Sequence, residues 1–146
     1  MDGMGNELVT FIADADIDCD GSGGNPEHDP YFQPETTLKV EGKSLDAYKV
    51  PFVVVPPVVI KKTKGIVMGS LCLIENTHTK EICIAVVGDV GPTRKVGELS
   101  PRAAGQISVD PNPVSGGESS FIVKYSIFVG IPAVIDGFTY PLRKSS

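Results

Sequence analysis

Glycine and proline divide this chain into many short apolar segments, and this punctuation constrains the fold more than any other feature. The 146 residues include 16 Gly and 12 Pro, both above the average share of a soluble protein. Strands of about four to eight residues fit between such breaks, whereas helices of ordinary length do not. The sequence therefore predicts a mainly β fold with one or two short helices.

The apolar and alternating segments between the breaks are the predicted strands. They are 8–13, 36–41, 48–60 with a break at its two prolines, a hairpin over 65–87, 121–129, and a short strand within 131–142. If the first strand continues, the aspartates at 14, 16, 18 and 20 share one face. Three consecutive valines at 53–55 predict burial on both faces of a strand. Ser100 followed by Pro101 predicts a short helix over about 101–107.

The hairpin contains two of the three cysteines. With a turn at residues 77–78, Glu75 pairs with Lys80, and Cys72 then lies directly opposite Cys83. In an oxidising compartment these two cysteines form a cross-strand disulfide; otherwise they are neighbouring buried thiols. The odd number of cysteines leaves both alternatives open, because one must stay unpaired or bond outside the chain.

Charge and length limit the classes of function. The net charge is −5 and the pI is near 4.9, so nucleic acid is an unfavourable partner and a cationic ligand a favourable one. Prolines and a basic segment at 61–64 interrupt the best candidate for a membrane span. We expect one catalytic domain over 1–146, with its core at about 8–142, and a monomer without a membrane partner.

Residues 16–27 carry the acids and the glycine of a calcium-binding EF-hand loop. Asp16, Asp18, Asp20, Gly21 and Glu27 match ligand positions or the turn position of that motif. The flanking segments do not read as helices, which argues against an EF-hand. Three interpretations stay open: a different kind of calcium loop, a solvated acidic loop, and a wall of carboxylates that binds the protonated amines of a sugar chain.

Asp89 and Glu98 each stand at the end of a predicted rigid element and face a loop. Asp89 follows the apolar segment 82–87, and Glu98 precedes the predicted helix. Two such carboxyls are what glycoside hydrolysis requires, one to protonate the leaving oxygen and one to activate water or attack the sugar. The alternative is that both are surface residues of turns.

Four segments carry a family resemblance. They are Asp16-Ile-Asp-Cys-Asp-Gly21, Asn25-Pro-Glu-His-Asp-Pro-Tyr-Phe-Gln-Pro-Glu-Thr36, Tyr48-Lys-Val-Pro-Phe-Val-Val-Val55, and Val87-Gly-Asp-Val-Gly-Pro92 with Gly97-Glu-Leu-Ser100. They closely resemble the fungal-type chitosanases of glycoside hydrolase family 75. A weaker similarity over 88–103 is to double-psi β-barrels of expansin-like proteins, which implies a single six-stranded double-psi-like barrel.

The family resemblance implies an endo-acting hydrolase that cleaves the β-1,4 bonds of chitosan with inversion, without a metal or another cofactor. It carries the essential acids of the family onto Asp89 and Glu98. Members are typically secreted with a removable signal, so we expect an extracellular protein. The rival interpretations are a non-catalytic carbohydrate-binding module on the same barrel and a calcium-stabilised structural domain.

Individual roles follow as expectations. Glu98 is expected to be the general acid in apolar surroundings, and Asp89 the ionised base beside backbone amides, with the reverse assignment open. The expected substrate contacts are Asp16, Asp18 and Asp20 on amines, Tyr31 stacked on a sugar face, and His28 on a hydroxyl. A purely structural role for His28 is the alternative.

Overall fold

Six strands form a closed barrel in the order β1-β7-β4-β6-β5-β8. The computed structural model describes residues 8–18, 36–58, 68–91, 97–113 and 115–143. The elements are β1 Leu8–Ile17, β2 Lys39–Val40, β3 Lys43–Ser44, β4 Phe52–Val55, β5 Ser70–Asn76, β6 Ile82–Val90, β7 Glu98–Leu99, α1 Pro101–Gln106, β8 Glu118–Pro132, β9 Val134–Ile135 and β10 Phe138–Thr139. Among the described residues, no helix is long and apolar enough to cross a membrane.

The barrel combines parallel and antiparallel neighbours. β1 runs parallel to β7, and β4 runs parallel to β6, whereas the other neighbouring pairs are antiparallel. Closure gives every barrel strand a partner on both sides, which removes the open edges of a flat sheet. The predicted mainly β fold with a six-stranded barrel is confirmed.

β4 is the most deeply buried strand. All its residues are buried, as the run of valines predicts. Leu45, the residue after β3, packs where β4 and β6 meet: a side-chain carbon placed on Gly88 of β6 would lie 2.6 Å from Leu45 Cδ1 and 3.1 Å from Phe52 Cβ. The N–H of Leu38 also donates to the carbonyl of Gly88 at 2.9 Å. The segment before β2 is therefore fastened directly to β6.

The strand predicted over 36–41 is shorter in the structure. Only Lys39 and Val40 pair, because the hydroxyl of Thr36 donates to the carbonyl of Leu38 and accepts from the N–H of Leu45. Side-chain hydrogen bonds of this kind replace the ladder of a sheet. A tight turn with positive φ follows at 41–42.

The register predicted for the β5–β6 hairpin is wrong. Glu75 lies opposite Ile82 rather than Lys80. The turn contains more residues than expected. The side chain of Asn76 accepts hydrogen bonds from the N–H groups of His78 and Thr79, and its carbonyl accepts one from the N–H of Lys80 at 2.7 Å. Lys80 adopts a left-handed conformation, with φ at 69°.

The corrected register separates the two hairpin cysteines. Cys72 lies opposite Ala85, and Cys83 lies opposite Ile74. Both are free, buried thiols, which decides between the two alternatives in favour of thiols. Burial raises the pKa of Cys83 to about 12, so this thiol is protonated at neutral pH.

Ser100 joins the helix to the barrel. Its Oγ accepts from Ala103 N–H at 3.3 Å as the N-cap of α1 and from Phe52 N–H at 3.0 Å, and its hydroxyl donates to Val50 O at 2.8 Å. The predicted cap and helix are confirmed. The last predicted strand is instead the hairpin β9–β10, which lies outside the barrel.

Candidate active site

Three carboxylates stand in one row across four neighbouring strands. Asp16 of β1 pairs with Glu98 of β7, Glu98 pairs with Val54 of β4, and Val54 pairs with Asp89 of β6. Directly paired residues project from the same face of a sheet, so the three acids share a face. Neighbouring strands are about 4.8 Å apart, which puts the Cα atoms of Glu98 and Asp89 roughly 10 Å from each other.

A bulge in β6 brings Asp89 to that face. Val53 pairs with Val87, but the next residue, Val54, pairs with Asp89, so Gly88 is an extra residue in β6. One extra residue reverses the side to which the following residues project. Without the bulge, Asp89 would project with Val87 to the opposite face of the sheet.

Asp89 is buried and held by one of its two oxygens. Its side chain is 5% exposed. The backbone N–H and the hydroxyl of Thr37 and the N–H of Val90 all donate to Oδ1, each at 2.9 Å. Within the described part of the chain, no donor reaches Oδ2. Burial raises the pKa of Asp89 above its ordinary value, and the hydrogen bonds from Thr37 and Val90 act in the opposite direction.

The carboxyl group of Asp89 is therefore asymmetric. Negative charge is stabilised at Oδ1, where the donors meet, so a proton is best carried by Oδ2. Such a group can hold a proton in one fixed direction and release it to an acceptor placed beside Oδ2.

Glu98 lies on the two-residue strand β7, between β1 and β4. Its side chain is half-buried. A side-chain carbon placed on Gly91 would lie 3.5 Å from Glu98 Oε2 and 3.4 Å from Val54 Cγ1. The carboxylate of Glu98 therefore reaches across Val54 to the end of β6, two residues beyond Asp89.

Gly97 fixes the start of β7. It has φ at +90°, a conformation that side chains rarely adopt. A side-chain carbon there would lie 2.6 Å from the carbonyl oxygen of Asp14, so the two backbones need this glycine to approach. The carbonyl of Gly97 accepts from the N–H of Asp16 at 2.7 Å. These contacts set Glu98 beside Asp16.

Tyr125 connects β8 to the acidic end of β1. Its hydroxyl donates to the carbonyl of Asp14 at 2.8 Å, and its ring stacks on Phe11. Burial, followed by the charges of Cys72 and the nearby acids, raises the pKa of Tyr125. The phenol is neutral and serves as a hydrogen-bond donor that fixes the backbone next to Asp16.

The two acids differ from the expected environments. Asp89 is the more buried acid, whereas the sequence predicts the more apolar surroundings for Glu98. The reason is the β2 side of the barrel: Thr37 and its neighbours cover Asp89, and nothing in the local sequence of Asp89 indicates that cover. The expectation that Glu98 has the more apolar surroundings is therefore wrong, whereas a backbone amide of the glycine turn does lie beside Asp89, the N–H of Val90.

The remaining predicted site residues divide into two groups. Asp18 follows directly after β1, is half-buried, and its N–H donates to the carbonyl of Leu99 at 2.9 Å. It therefore extends the acidic row beside β7. Asp20, His28 and Tyr31 lie outside the described residues, as does most of the predicted calcium loop. In the described ranges, no group of three or more His, Cys, Asp or Glu side chains is arranged to hold a metal ion.

Thr37 is the site residue that sequence reasoning missed. It contributes two of the three donors to Asp89, from a position 52 residues away. Threonine in a polar segment carries no chemical signature by itself, and only the closed barrel brings it to the acid.

Comparison with curated proteins gives a partial match. The chain is 39% identical over 61 residues to "Endo-chitosanase C" from Aspergillus oryzae, and equally to the same protein from strain ATCC 42149 / RIB 40. The match covers 42% of this chain and 15% of the length of the relative. No family model matches the chain. The similarity supports a distant, chitosanase-like relationship.

Proposed function

We propose that this protein is a glycoside hydrolase that cleaves β-1,4 bonds between glucosamine units of chitosan with inversion. The observation that carries the proposal is the pairing of Glu98 and Asp89 with opposite sides of Val54. It supports two carboxyls on one face, separated by about two strand spacings. Inverting enzymes need carboxyls ~6.5–9.5 Å apart, and two side chains on one face with a backbone separation of roughly 10 Å are compatible with this requirement.

The buried acid is the better proton donor. A general acid must be protonated near the working pH, and burial raises the pKa of Asp89. In the proposed reaction, the proton on Asp89 Oδ2 moves to the glycosidic oxygen as the C1–O bond breaks. Oδ1 keeps its three donors throughout, so the carboxylate that forms is already stabilised.

Glu98 takes the complementary role in this proposal. It is half-buried and therefore closer to solvent than Asp89. As the base it removes a proton from a water molecule, whose oxygen attacks C1 on the face opposite the departing oxygen. Atoms and charge balance: the leaving sugar gains the proton of Asp89, and Glu98 gains the proton of water. The reverse assignment of Asp89 and Glu98 is distinguished by experiment below.

The acidic surroundings favour a cationic substrate. Asp16 stands next to Glu98, Asp18 follows on the same segment, and the whole chain has a net charge of −5. Carboxylates form charge-assisted hydrogen bonds with the ammonium groups of glucosamine, which an acetylated sugar lacks. A polymeric sugar chain does not enter cells, so the proposed activity on chitosan implies an extracellular enzyme.

The first test measures the release of reducing ends from chitosan. We expect Asp89→Asn and Glu98→Gln each to lower the rate at least about 100-fold, the scale of one acid or base. Asp136→Asn is a matched control, because Asp136 lies in the β9–β10 turn and its φ of 52° suits asparagine. If both site variants are folded and keep rates within twofold of the wild type, the proposal is wrong.

A second test separates acid from base. An aryl glycoside of glucosamine whose leaving group needs no protonation should restore much of the rate to the acid variant but not to the base variant. Our assignment expects this recovery for Asp89→Asn. Recovery in Glu98→Gln instead would reverse the roles. NMR of the first product should show the α anomer, and a β anomer would exclude inversion.

A further inference from the structure

A groove on the helix side of the barrel has the features of a second sugar-binding site. It has a volume of about 500 Å³, within the range of ligand sites. The lining groups that matter are Tyr48, Arg102, Gly105, Gln106, Asp110 and Asn112. None of them belongs to the acidic row at Asp89 and Glu98.

An exposed aromatic ring forms one wall. Tyr48 is 41% exposed, although its backbone is fixed. The Asp46 carboxylate accepts from the Tyr48 N–H at 2.9 Å, and the preceding carbonyl, of Ala47, accepts from Arg102 N–H at 3.1 Å. Because the backbone is fixed, only the side-chain torsions of Tyr48 are left to be ordered when a flat ligand packs on its ring.

Polar groups on a fixed loop also line the groove. Asp110 Oδ1 accepts from Asn112 N–H at 3.0 Å, and the carbonyl of Asp110 accepts from Gly117 N–H at 2.8 Å. Arg102 supplies a donor of opposite charge, and Cys83 Sγ lies 3.0 Å from Oε1 of Gln106, which orients that amide. Donors and acceptors therefore border an apolar surface.

Gly105 is an exposed residue that lines the groove, and it is an independent indication. It sits inside helix α1, where alanine is more favourable by about 1 kcal/mol. Among the described residues, and apart from the turns of its own helix, no atom lies within 4 Å of a side-chain carbon placed on it, and its φ is not positive, so neither packing by these residues nor backbone geometry requires glycine. The glycine leaves this part of the groove open to a ligand that approaches the helix backbone.

We propose that this groove binds sugar units of the same polysaccharide, away from the bond that is cleaved. A pyranose ring has an apolar face that suits Tyr48 and polar edges that suit Asp110, Arg102 and the two amides. Asp110 would accept from an amine or hydroxyl, and Arg102 would donate to a hydroxyl or an acetyl carbonyl. The choice of ligand rests on the proposed function, whereas the groove does not.

The test combines two variants with a matched control. Tyr48→Ala removes the aromatic ring, and Gly105→Leu fills the groove next to the helix backbone while it improves helix propensity. Phe121→Ala is the control, because Phe121 is an aromatic residue 70% exposed outside the groove. Both groove variants should raise KM for polymeric chitosan roughly threefold to tenfold, with kcat unchanged. The KM of the control should not change.

A binding measurement keeps the inference separate from catalysis. In an NMR titration of the wild-type chain with a glucosamine hexamer, and in parallel with an N-acetylglucosamine hexamer, Gly105 and its helix neighbours should shift. Those shifts should disappear in Tyr48→Ala. If wild type releases no reducing ends but these shifts occur, the hydrolase proposal fails and the groove stands. If neither hexamer shifts Gly105, or KM is unaffected in both groove variants, the groove proposal is overturned.

Discussion

The hydroxyl of Thr37 tests whether Asp89 is held as described. Thr37→Val removes the O–H donor at 2.9 Å from Oδ1 but keeps the shape of the side chain and the backbone N–H bond. A hydrogen bond to a charged acceptor contributes about 1.5–3 kcal/mol, and one to a neutral acceptor about 0.5–1.5 kcal/mol. The side chain of Thr37 is exposed, so the lower end of each range applies.

We therefore expect Thr37→Val to lose about 1.5 kcal/mol of unfolding free energy where Asp89 is ionised, and less in acid. With a urea m value of about 2 kcal/mol/M, the midpoint should fall by roughly 0.7 M at neutral pH. The lost donor favoured the ionised form, so its removal raises the pKa of Asp89 further. The alkaline limb of the pH–rate profile should move to higher pH.

Two variants control this experiment. Thr37→Ser keeps the hydroxyl and should behave like the wild type. Thr10→Val makes the same chemical change at an exposed position of β1, away from the acid, and should alter neither property. An unchanged urea midpoint at neutral pH together with an unmoved alkaline limb in Thr37→Val would show that the Thr37 hydroxyl does not stabilise ionised Asp89.

Four further substitutions, one of them a control, have expected outcomes. The pKa of Asp89 is raised in the folded protein, so its contribution to stability is full below the pKa of the unfolded state and is lost as pH rises through the folded pKa. Asp89→Asn should therefore gain stability relative to wild type as pH increases, as urea titrations can measure. A stability difference that does not depend on pH would contradict this. Gly88→Ala should lower stability by about 1–3 kcal/mol, because the new carbon meets Leu45 at 2.6 Å, whereas Gly105→Ala should not, as thermal unfolding can show. Ser100→Ala should lose about 2–4 kcal/mol in urea unfolding, because buried N–H groups lose their acceptor; a loss below about 1 kcal/mol contradicts that role.

Local chemistry made part of the fold predictable. The three valines of β4 predict its burial, and Ser100 followed by Pro101 predicts the start of the helix. Both signals lie in adjacent residues, and both predictions are confirmed. The hairpin register is different, because it depends on a turn in which Asn76 and Lys80 take unusual roles. The pattern of strand residues alone does not predict how many residues the turn contains.

The candidate site was predictable only as a set of residue types. Asp89 and Glu98 stand out in the sequence, but their common face depends on the bulge at Gly88 and on β4, which lies between them. Thr37 contacts Asp89 across 52 positions, and Asp89 rather than Glu98 is the more buried acid. Such features arise from closure of the barrel, which no local pattern records.

Strand β7 has a consequence for how the chain would recover after denaturation. It is only two residues long, and its partners β1 and β4 come from distant parts of the chain. So short a strand has no stability of its own and adopts its position only when both partners are already in place. Regain of the proposed activity during refolding would therefore time the last stage of assembly, well after circular dichroism had reported the β5–β6 hairpin.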